Sequence, residues 1–161
     1  MQSILFPGQG SQVVGMGSEF YRNFDTVKKI FSRADDRLNF SISKLILEGP
    51  EDKLQLTENT QPAILTVSYS IYEILIKEFN FNVQPIKYFA GHSLGEYSAL
   101  VCSGALNFED ALYLLNERGK AMQKAVPLGE GSMIAVLGAK IDQIRNLLTK
   151  IREQNRKNVC E

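Results

Sequence analysis

The sequence predicts an α/β fold with a largely parallel sheet, because short apolar runs alternate along the chain with amphipathic helical patterns. The first run, Ile4-Leu5-Phe6, precedes the turn residues 7–10 (PGQG) and is expected to form a short buried strand. The second run, residues 86–90 (IKYFA), leads through the glycine-flanked segment 91–95 into a helix of small residues. Parallel strands need a crossover between them, which the intervening helical patterns supply.

Amphipathic periodicity predicts the helices between these strands. One helix is expected to begin with Ser18 as its cap and to continue to residue 38. Short helical pieces are expected within residues 41–55, and a longer helix after Thr60 with Pro62 in its first turn. The apolar stripe of this longer helix is predicted to comprise Ile64, Val67, Ile71, Ile74 and Leu75.

The second half of the chain continues the same alternation. An amphipathic helix is predicted over residues 108–126, with an inward face formed by Ala111, Leu112, Leu115 and Met122. We predict a loop of helix- and strand-breaking residues at 127–131, followed by a strand at 132–137. A helix is predicted at 141–151, and the beginning of a last strand at 158–161.

The breaker-rich loop near Gly129 is expected to separate two units, residues 1–127 and residues 128–161. The second unit would hold only a strand, a helix and the beginning of a strand, which bury too little apolar surface to be stable alone. We therefore expect the chain to be truncated inside this unit. The alternative is that the last strand pairs with the main sheet.

Composition excludes several classes of protein. The chain has 161 residues, of which 44% are hydrophobic, and its 18 basic and 18 acidic residues cancel, so neither disorder nor a nucleic-acid partner is expected. Cys102 and Cys160 lack metal-site spacing, so no metal is expected. Without a signal peptide or an apolar stretch that could span a membrane, the protein is expected to be cytoplasmic.

The segment Gly91-His92-Ser93-Leu94-Gly95 matches the pattern G-x-S-x-G. This pattern places a serine on a tight strand-to-helix turn, with its hydroxyl exposed and the following N–H directed at a substrate carbonyl. Glycines on both sides are needed because side chains there would collide with the neighbouring strand and helix. The alternative is a plain glycine-serine loop, but the preceding strand pattern and the following helix pattern favour a nucleophile.

His92 is the only histidine in the sequence. A general base must lie within about 2.6–3.2 Å of the hydroxyl that it deprotonates, and neighbours on a tight turn seldom meet that condition. We therefore predict that His92 is structural and holds the turn through hydrogen bonds. A serine–histidine mechanism lacks its base in this chain.

Four segments together carry a resemblance to a known family. They are FPGQGSQ (residues 6–12), TQPA (60–63), GHSLGEYSAL (91–100) and ERGKAMQ (117–123). In this order they resemble the malonyl-CoA:acyl carrier protein transacylases of fatty acid synthesis and the related acyltransferase domains of polyketide synthases. The resemblance implies a hydrolase-like α/β subdomain, incomplete here, and the start of a smaller ferredoxin-like subdomain. It also implies malonyl-CoA and acyl carrier protein as the two substrates, with no bound cofactor.

The resemblance assigns roles to individual residues. Ser93 resembles the serine that becomes acylated, and Gln9 and Leu94 resemble the two main-chain N–H donors of an oxyanion hole. Arg118 resembles the arginine that binds the free malonyl carboxylate. Taken alone, Arg118 would be a solvated helix residue. The loop at residues 8–10 would be a plain turn or a phosphate cradle, although no G-K-[ST] follows it.

Two other readings of these residues stay open. A serine esterase or thioesterase would share the elbow, although the Gln9 loop and Arg118 argue against it. A fragment without catalysis is the other reading, since a serine without a base is a weak nucleophile. We therefore expect this chain alone to transfer malonyl weakly or not at all.

Overall fold

The computed structural model describes residues 2–126 and 136–154. The chain divides into two compact units, Met1–Leu128 and Gly129–Glu161. In the first unit the elements are, in chain order, β1 (Gln2–Phe6), α1 (Ser18–Asn23), α2 (Asp25–Leu38), α3 (Ile42–Glu48), α4 (Glu51–Leu54), α5 (Thr57–Lys77), β2 (Ile86–Gly91), α6 (Gly95–Cys102) and α7 (Phe108–Ala125). The second unit contains α8 (Ile141–Gln154). The assignment of the two units to hydrolase-like and ferredoxin-like subdomains stays a prediction.

The two described strands pair in parallel, which confirms the predicted α/β class. Ile4 is in register with Phe89, and Phe6 with Gly91, so both strands end at the same edge of the sheet. The expectation that β1 is buried is only partly correct, because Phe6 is buried whereas Leu5 is 76% exposed. A parallel sheet is normally covered by helices on both faces, and the exposure of Leu5 shows that one face of β1 has no such cover within the described residues.

The core of the first unit lies where α2, α5 and α7 pack together. Its largest fully buried apolar side chains are Phe31, Ile42, Ile46, Leu54, Leu65, Ile74, Leu94, Leu112 and Leu115. Leu94 is therefore a core residue, although it directly follows the serine of the elbow. The short helices predicted within residues 41–55 are confirmed as α3 and α4.

The single helix predicted from Ser18 to residue 38 is wrong in two respects. Gly17, in a left-handed conformation with φ 75°, occupies the cap position, and Ser18 is the first helical residue. Phe24 is extended, with φ −127° and ψ 119°, and divides the segment into α1 and α2. The Phe24 ring packs near Phe79, with a centroid distance of 6.1 Å, so a tertiary contact accompanies the break.

Helix α5 begins at Thr57, three residues before Thr60, so Pro62 lies inside the helix and not in its first turn. Proline has no N–H to donate to the carbonyl four residues earlier, which here belongs to Glu58. Asn116 on α7 supplies the missing donor, because its side-chain Nδ2 donates to the Glu58 carbonyl at 3.0 Å. A residue of another helix thus allows the proline to lie within α5.

Helices α5 and α7 approach each other closely at Gly119. A Cβ atom on Gly119 would lie 2.4 Å from the Cα of Glu58 and 2.7 Å from its main-chain nitrogen. A side chain at Gly119 would therefore force α7 away from α5. The predicted inward face of α7 is confirmed at Ala111, Leu112 and Leu115, but Met122 is 36% exposed.

In the second unit, α8 confirms the helix predicted over residues 141–151 and extends it by three residues. Val136 and Leu137 are not in a strand, so the end of the strand predicted at 132–137 is wrong. Residues 127–131, 132–135 and 158–161, on which the remaining predictions fall, lie outside the described residues. None of the helices in residues 2–126 and 136–154 combines the length and apolar character that crossing a bilayer requires.

Candidate active site

Ser93 lies on a tight turn between the end of β2 and the start of α6. Its φ of 56° places it in the left-handed region, which residues with a Cβ seldom adopt. The turn is fixed by main-chain hydrogen bonds, from the Gly95 N–H to the His92 carbonyl at 2.9 Å and from the Glu96 N–H to the Ser93 carbonyl at 3.1 Å. The geometry is that of a nucleophile elbow.

The two glycines of the elbow are required by the close approach of main-chain segments. A Cβ on Gly91 would lie 2.0 Å from the carbonyl carbon and oxygen of Gly95. A Cβ on Gly95 would lie 2.6 Å from the carbonyl oxygen of Phe6, at the end of β1. The elbow is therefore wedged between the strand end and the helix start, as the sequence pattern indicates.

Replacing Ser93 by Gly is expected to leave the protein about 0.5–1 kcal/mol more stable than replacing it by Ala. Both changes remove the hydroxyl, but Ala keeps a Cβ that costs about 1–2 kcal/mol in the left-handed region. The larger unfolded-state entropy of Gly offsets about 0.5–1 kcal/mol of that difference. Urea unfolding of the two variants measures it, and a more stable Ala variant would show that the turn is not strained.

Arg118 on α7 reaches the serine directly. Its Nη2 donates to Ser93 Oγ at 3.0 Å, and its Nη1 donates to Oε1 of Gln61 at 2.7 Å. Gln61 lies on α5, is fully buried, and donates from Nε2 to the Met122 sulfur at 3.3 Å. Two helices therefore hold the guanidinium beside the hydroxyl.

The charge of Arg118 is not neutralised by a carboxylate within the described residues. The ion pairs found there involve other side chains, among them Arg33 with Glu109 and Lys120 with Glu117. A partly buried guanidinium whose nitrogen atoms contact only neutral groups retains the capacity to bind an anion. A ligand carboxylate could accept two parallel hydrogen bonds from it.

The loop that carries Gln9 packs against the elbow. A Cβ on Gly8 would lie 2.5 Å from His92 Nδ1 and 2.8 Å from the His92 carbonyl oxygen, so this contact also requires glycine. In the described part of the chain, neither the Gln9 nor the Leu94 main-chain N–H donates a hydrogen bond. Two N–H groups without partners near the elbow are what an oxyanion hole requires.

His92 is exposed, and its main chain contributes to the turn. Its N–H donates to the Phe6 carbonyl at 3.3 Å, which ties the elbow to β1. Within residues 2–126 the hydrogen bond found to Ser93 Oγ comes from Arg118 and not from the imidazole. The proposed hydrogen bonds of the His92 side chain stay a prediction.

Cys102, at the end of α6, is a poor candidate for a nucleophile. Burial, together with the nearby charge of Glu73, raises the pKa of the Cys102 thiol to about 12. At neutral pH the sulfur is therefore almost wholly protonated, and only the thiolate is reactive.

Sequence reasoning did not assign a role to Gln61. The signal was present, because Gln61 belongs to the segment TQPA that contributes to the family resemblance. Its contact with Arg118 joins positions 57 residues apart, which periodicity along the chain cannot reveal.

Together, the parallel strands, the strained serine and the adjacent guanidinium define an α/β protein with a nucleophile elbow. The family model described as "Acyl transferase domain" matches residues 4–155. The chain belongs to this acyl transferase family.

The curated relatives indicate which kind of acyl transferase the chain is similar to. Two curated proteins named malonyl CoA-acyl carrier protein transacylase are similar to the chain. The protein of Bacillus subtilis (strain 168) is 46% identical, and the match covers 94% of the chain and 47% of the relative. The protein of Haemophilus influenzae is 43% identical, and the match covers 94% of the chain and 48% of the relative. The chain thus spans about half the length of these relatives.

Solved structures agree with this placement. The acyl-carrier-protein-S-malonyltransferase of Bartonella henselae matches with a TM-score of 0.86 and 41% identity, over 95% of the chain and 49% of that protein. A malonyl-transacylase in complex with a type II polyketide synthase acyl carrier protein matches with a TM-score of 0.85 and 38% identity, over 94% and 48%.

Proposed function

We propose that this chain forms part of an enzyme that transfers malonyl from coenzyme A to the phosphopantetheine thiol of acyl carrier protein. The observation that carries the proposal is the 3.0 Å contact between the Arg118 guanidinium and the hydroxyl of the elbow serine, Ser93. One group can accept an acyl unit, and the other can bind the free carboxylate of the same unit. The relatives named as malonyl transacylases support this assignment.

In the first half-reaction, Ser93 Oγ attacks the carbonyl carbon of the malonyl thioester. A C–O bond forms, the C–S bond breaks, and the hydroxyl proton ends on the sulfur of free coenzyme A. In the second half-reaction, the carrier thiol attacks the serine ester. A C–S bond forms, the C–O bond to Ser93 breaks, and the thiol proton returns to Oγ. Covalent catalysis of this kind divides one difficult transfer into two steps.

Each step passes through a tetrahedral intermediate with a negative oxygen. The Leu94 N–H, at the start of α6, and the Gln9 N–H are proposed to stabilise this oxyanion. Leu94 is fully buried in the core, which anchors the main chain at this position. Losing one such donor typically slows a reaction about 10²- to 10³-fold.

No bound metal or other cofactor takes part in the proposed reaction, since coenzyme A and the carrier's prosthetic arm enter as substrates. We place the reaction in fatty acid biosynthesis in the cytoplasm, for which the free thiol of Cys102 is suited. The finer fold proposal is a hydrolase-like subdomain for residues 1–127 and the start of a ferredoxin-like one from residue 128.

The general base is not identified among the described residues. His92 is the only histidine of the chain, and its imidazole makes no hydrogen bond to Ser93 Oγ in the part that the structure describes. The isolated chain is therefore expected to acylate Ser93 slowly. Free imidazole in the buffer is expected to accelerate the reaction, because it supplies the missing base from solution.

Arg118→Met is expected to lower the preference for malonyl over acetyl about 10- to 100-fold. A charge-assisted hydrogen bond contributes about 1.5–3 kcal/mol, and each 1.36 kcal/mol corresponds to about tenfold in rate. The measurement is the rate of Ser93 acylation from malonyl-CoA and from acetyl-CoA in imidazole buffer, followed by mass spectrometry. Arg118→Lys keeps the charge but not the two-pronged geometry, and should retain part of the preference.

Two outcomes would contradict the proposal. An unchanged preference in Arg118→Met would remove Arg118 from substrate binding, and acylation that survives Ser93→Ala would remove the serine. The esterase reading is tested in the same assay, by comparing transfer from malonyl-Ser93 to the carrier thiol with hydrolysis. If malonyl-Ser93 is hydrolysed faster than it is transferred to the carrier thiol in the same reaction, an esterase is favoured.

A further inference from the structure

The Gln9 loop is fixed by two glutamine side chains that lie outside the residues assigned so far. Gln12 is only 7% exposed, and its Oε1 accepts a hydrogen bond from the Gly10 main-chain N–H at 2.7 Å. The Gln12 side-chain amide in turn donates to Oε1 of Gln55. Gln55 directly follows α4, and its N–H donates to the Glu51 carbonyl at 2.9 Å, so it is itself anchored to a helix end.

This loop needs an external support. Gly10 has a φ of 107°, and glycines stand on both sides of Gln9, so the chain here has unusual conformational freedom. The Ser11 hydroxyl donates to the Gly8 carbonyl at 2.8 Å, but Ser11 is exposed. The Gln9 side chain also donates to Thr57 Oγ1, but at 3.4 Å and in an exposed position. The partly buried hydrogen bond that restrains the far side of the loop runs from the Gly10 N–H to Gln12 Oε1.

We propose that Gln12, anchored by Gln55, is a positioning residue for the acyl transfer, which directs the Gln9 main-chain N–H toward Ser93. This inference rests on the proposed function. An oxyanion donor is effective because it is fixed before the charge develops, so that no reorganisation is needed during the reaction. Gln12 provides that fixation without touching the substrate, since its two hydrogen bonds go to Gly10 and Gln55.

The chemistry of the amide explains why glutamine fits the position. Burying an amide group without partners is costly, and Gln12 has a partner for its oxygen and another for its nitrogen. Glutamate could accept the hydrogen bond from the Gly10 N–H in the same way. It could also accept one from the Gln55 side-chain NH₂ if that amide group flipped by 180°. Methionine has nearly the same shape, but its thioether sulfur is only a weak acceptor. The pair Gln12→Glu and Gln12→Met therefore separates hydrogen bonding from side-chain volume.

The experiment uses the 161-residue chain with malonyl-CoA in imidazole buffer. The limiting rate of Ser93 acylation and the malonyl-CoA concentration at half of that rate are measured by mass spectrometry. We expect Gln12→Met to lower the limiting rate about 10- to 100-fold, which is below or near the cost of losing one oxyanion donor. The half-saturating concentration should change little, and Gln12→Glu should recover most of the rate. Gln84→Met, an exposed glutamine before β2, is the matched control.

Amide hydrogen exchange at Gly10, measured by NMR, gives a readout that does not depend on activity. Exchange should accelerate about tenfold or more in Gln12→Met and much less in Gln12→Glu. Faster exchange without slower acylation would mean that the contact only supports the fold, and would overturn the positioning role. Equal acylation rates for the Glu and Met variants would overturn it as well.

Two further outcomes are decisive. If Gln12→Met does not fold, Gln55→Met removes only the anchor and should slow acylation about three- to tenfold, and an unchanged rate would overturn the proposal. If the unmodified chain forms no malonyl-Ser93 in imidazole buffer, the exchange measurement decides, and an unchanged Gly10 exchange rate in Gln12→Met would overturn the positioning role. A normal acylation rate in the unmodified chain and in Gln12→Met refutes the positioning role alone.

Discussion

Replacing Gly91 by Ala is expected to prevent the chain from folding. The new Cβ would lie 2.0 Å from the carbonyl carbon and oxygen of Gly95 and 2.6 Å from the nitrogen of Glu96. All three are main-chain atoms at the start of α6, so no side-chain rotation can relieve the collision. Relief requires that α6 separate from β2, which would expose the buried side chains of Leu94 and Val101. The cost should exceed about 5 kcal/mol, the lower end of the stability of a typical domain.

The control for this prediction is Gly104→Ala. Gly104 has a φ of 80°, and a Cβ there would meet nothing within 4 Å. The cost should be only that of the left-handed conformation, about 1–2 kcal/mol. Circular dichroism and urea unfolding of both variants give the comparison. A folded Gly91→Ala chain with a stability similar to that of Gly104→Ala would refute the close packing at the elbow.

The elbow could be predicted because its requirements are local in sequence. A strand, two glycines around a serine and a helix of small residues occur within residues 86–102, and the structure places them as the pattern implies. The parallel pairing of β1 with β2 also followed from the alternation of patterns. In both cases the determining contacts lie within one element or between elements that the pattern identifies.

The errors came from contacts between residues distant in sequence. The position of Pro62 indicated a helix that begins just before it, but α5 begins earlier, at Thr57. This is possible because Asn116 donates to the Glu58 carbonyl, which proline cannot do. Likewise, Gln61 stands 57 positions from Arg118, and Gln55 stands 43 positions from Gln12. Such pairs depend on how the helices pack, which a single sequence does not specify. The sequence therefore identified the residue types of the candidate site better than the side chains that hold them in place.

Replacing Gly119 by Ala is expected to reduce the stability of the fold and, under the proposed function, the preference for malonyl over acetyl. Its Cβ would lie 2.4 Å from the Glu58 Cα and 2.7 Å from the Thr57 carbonyl oxygen, so α7 must move away from α5. Alanine is intrinsically favoured over glycine in a helix by about 1 kcal/mol. Overpacking typically costs about 1–3 kcal/mol and should outweigh that gain, so we expect a net loss of about 2 kcal/mol.

The effect on selectivity follows from the position of Gly119 next to Arg118. Arg118 bridges from α7 to Gln61 on α5 and to Ser93, with distances of 2.7 and 3.0 Å, and a displacement of α7 lengthens both contacts. The malonyl-to-acetyl acylation ratio should therefore fall toward that of Arg118→Met, while urea unfolding reports the loss of stability. Adding Glu58→Ala should not rescue either property, because the collision is with the main chain of Glu58 and not with its side chain. Rescue by Glu58→Ala, or normal selectivity in Gly119→Ala, would show that the α5–α7 contact does not set the position of the arginine.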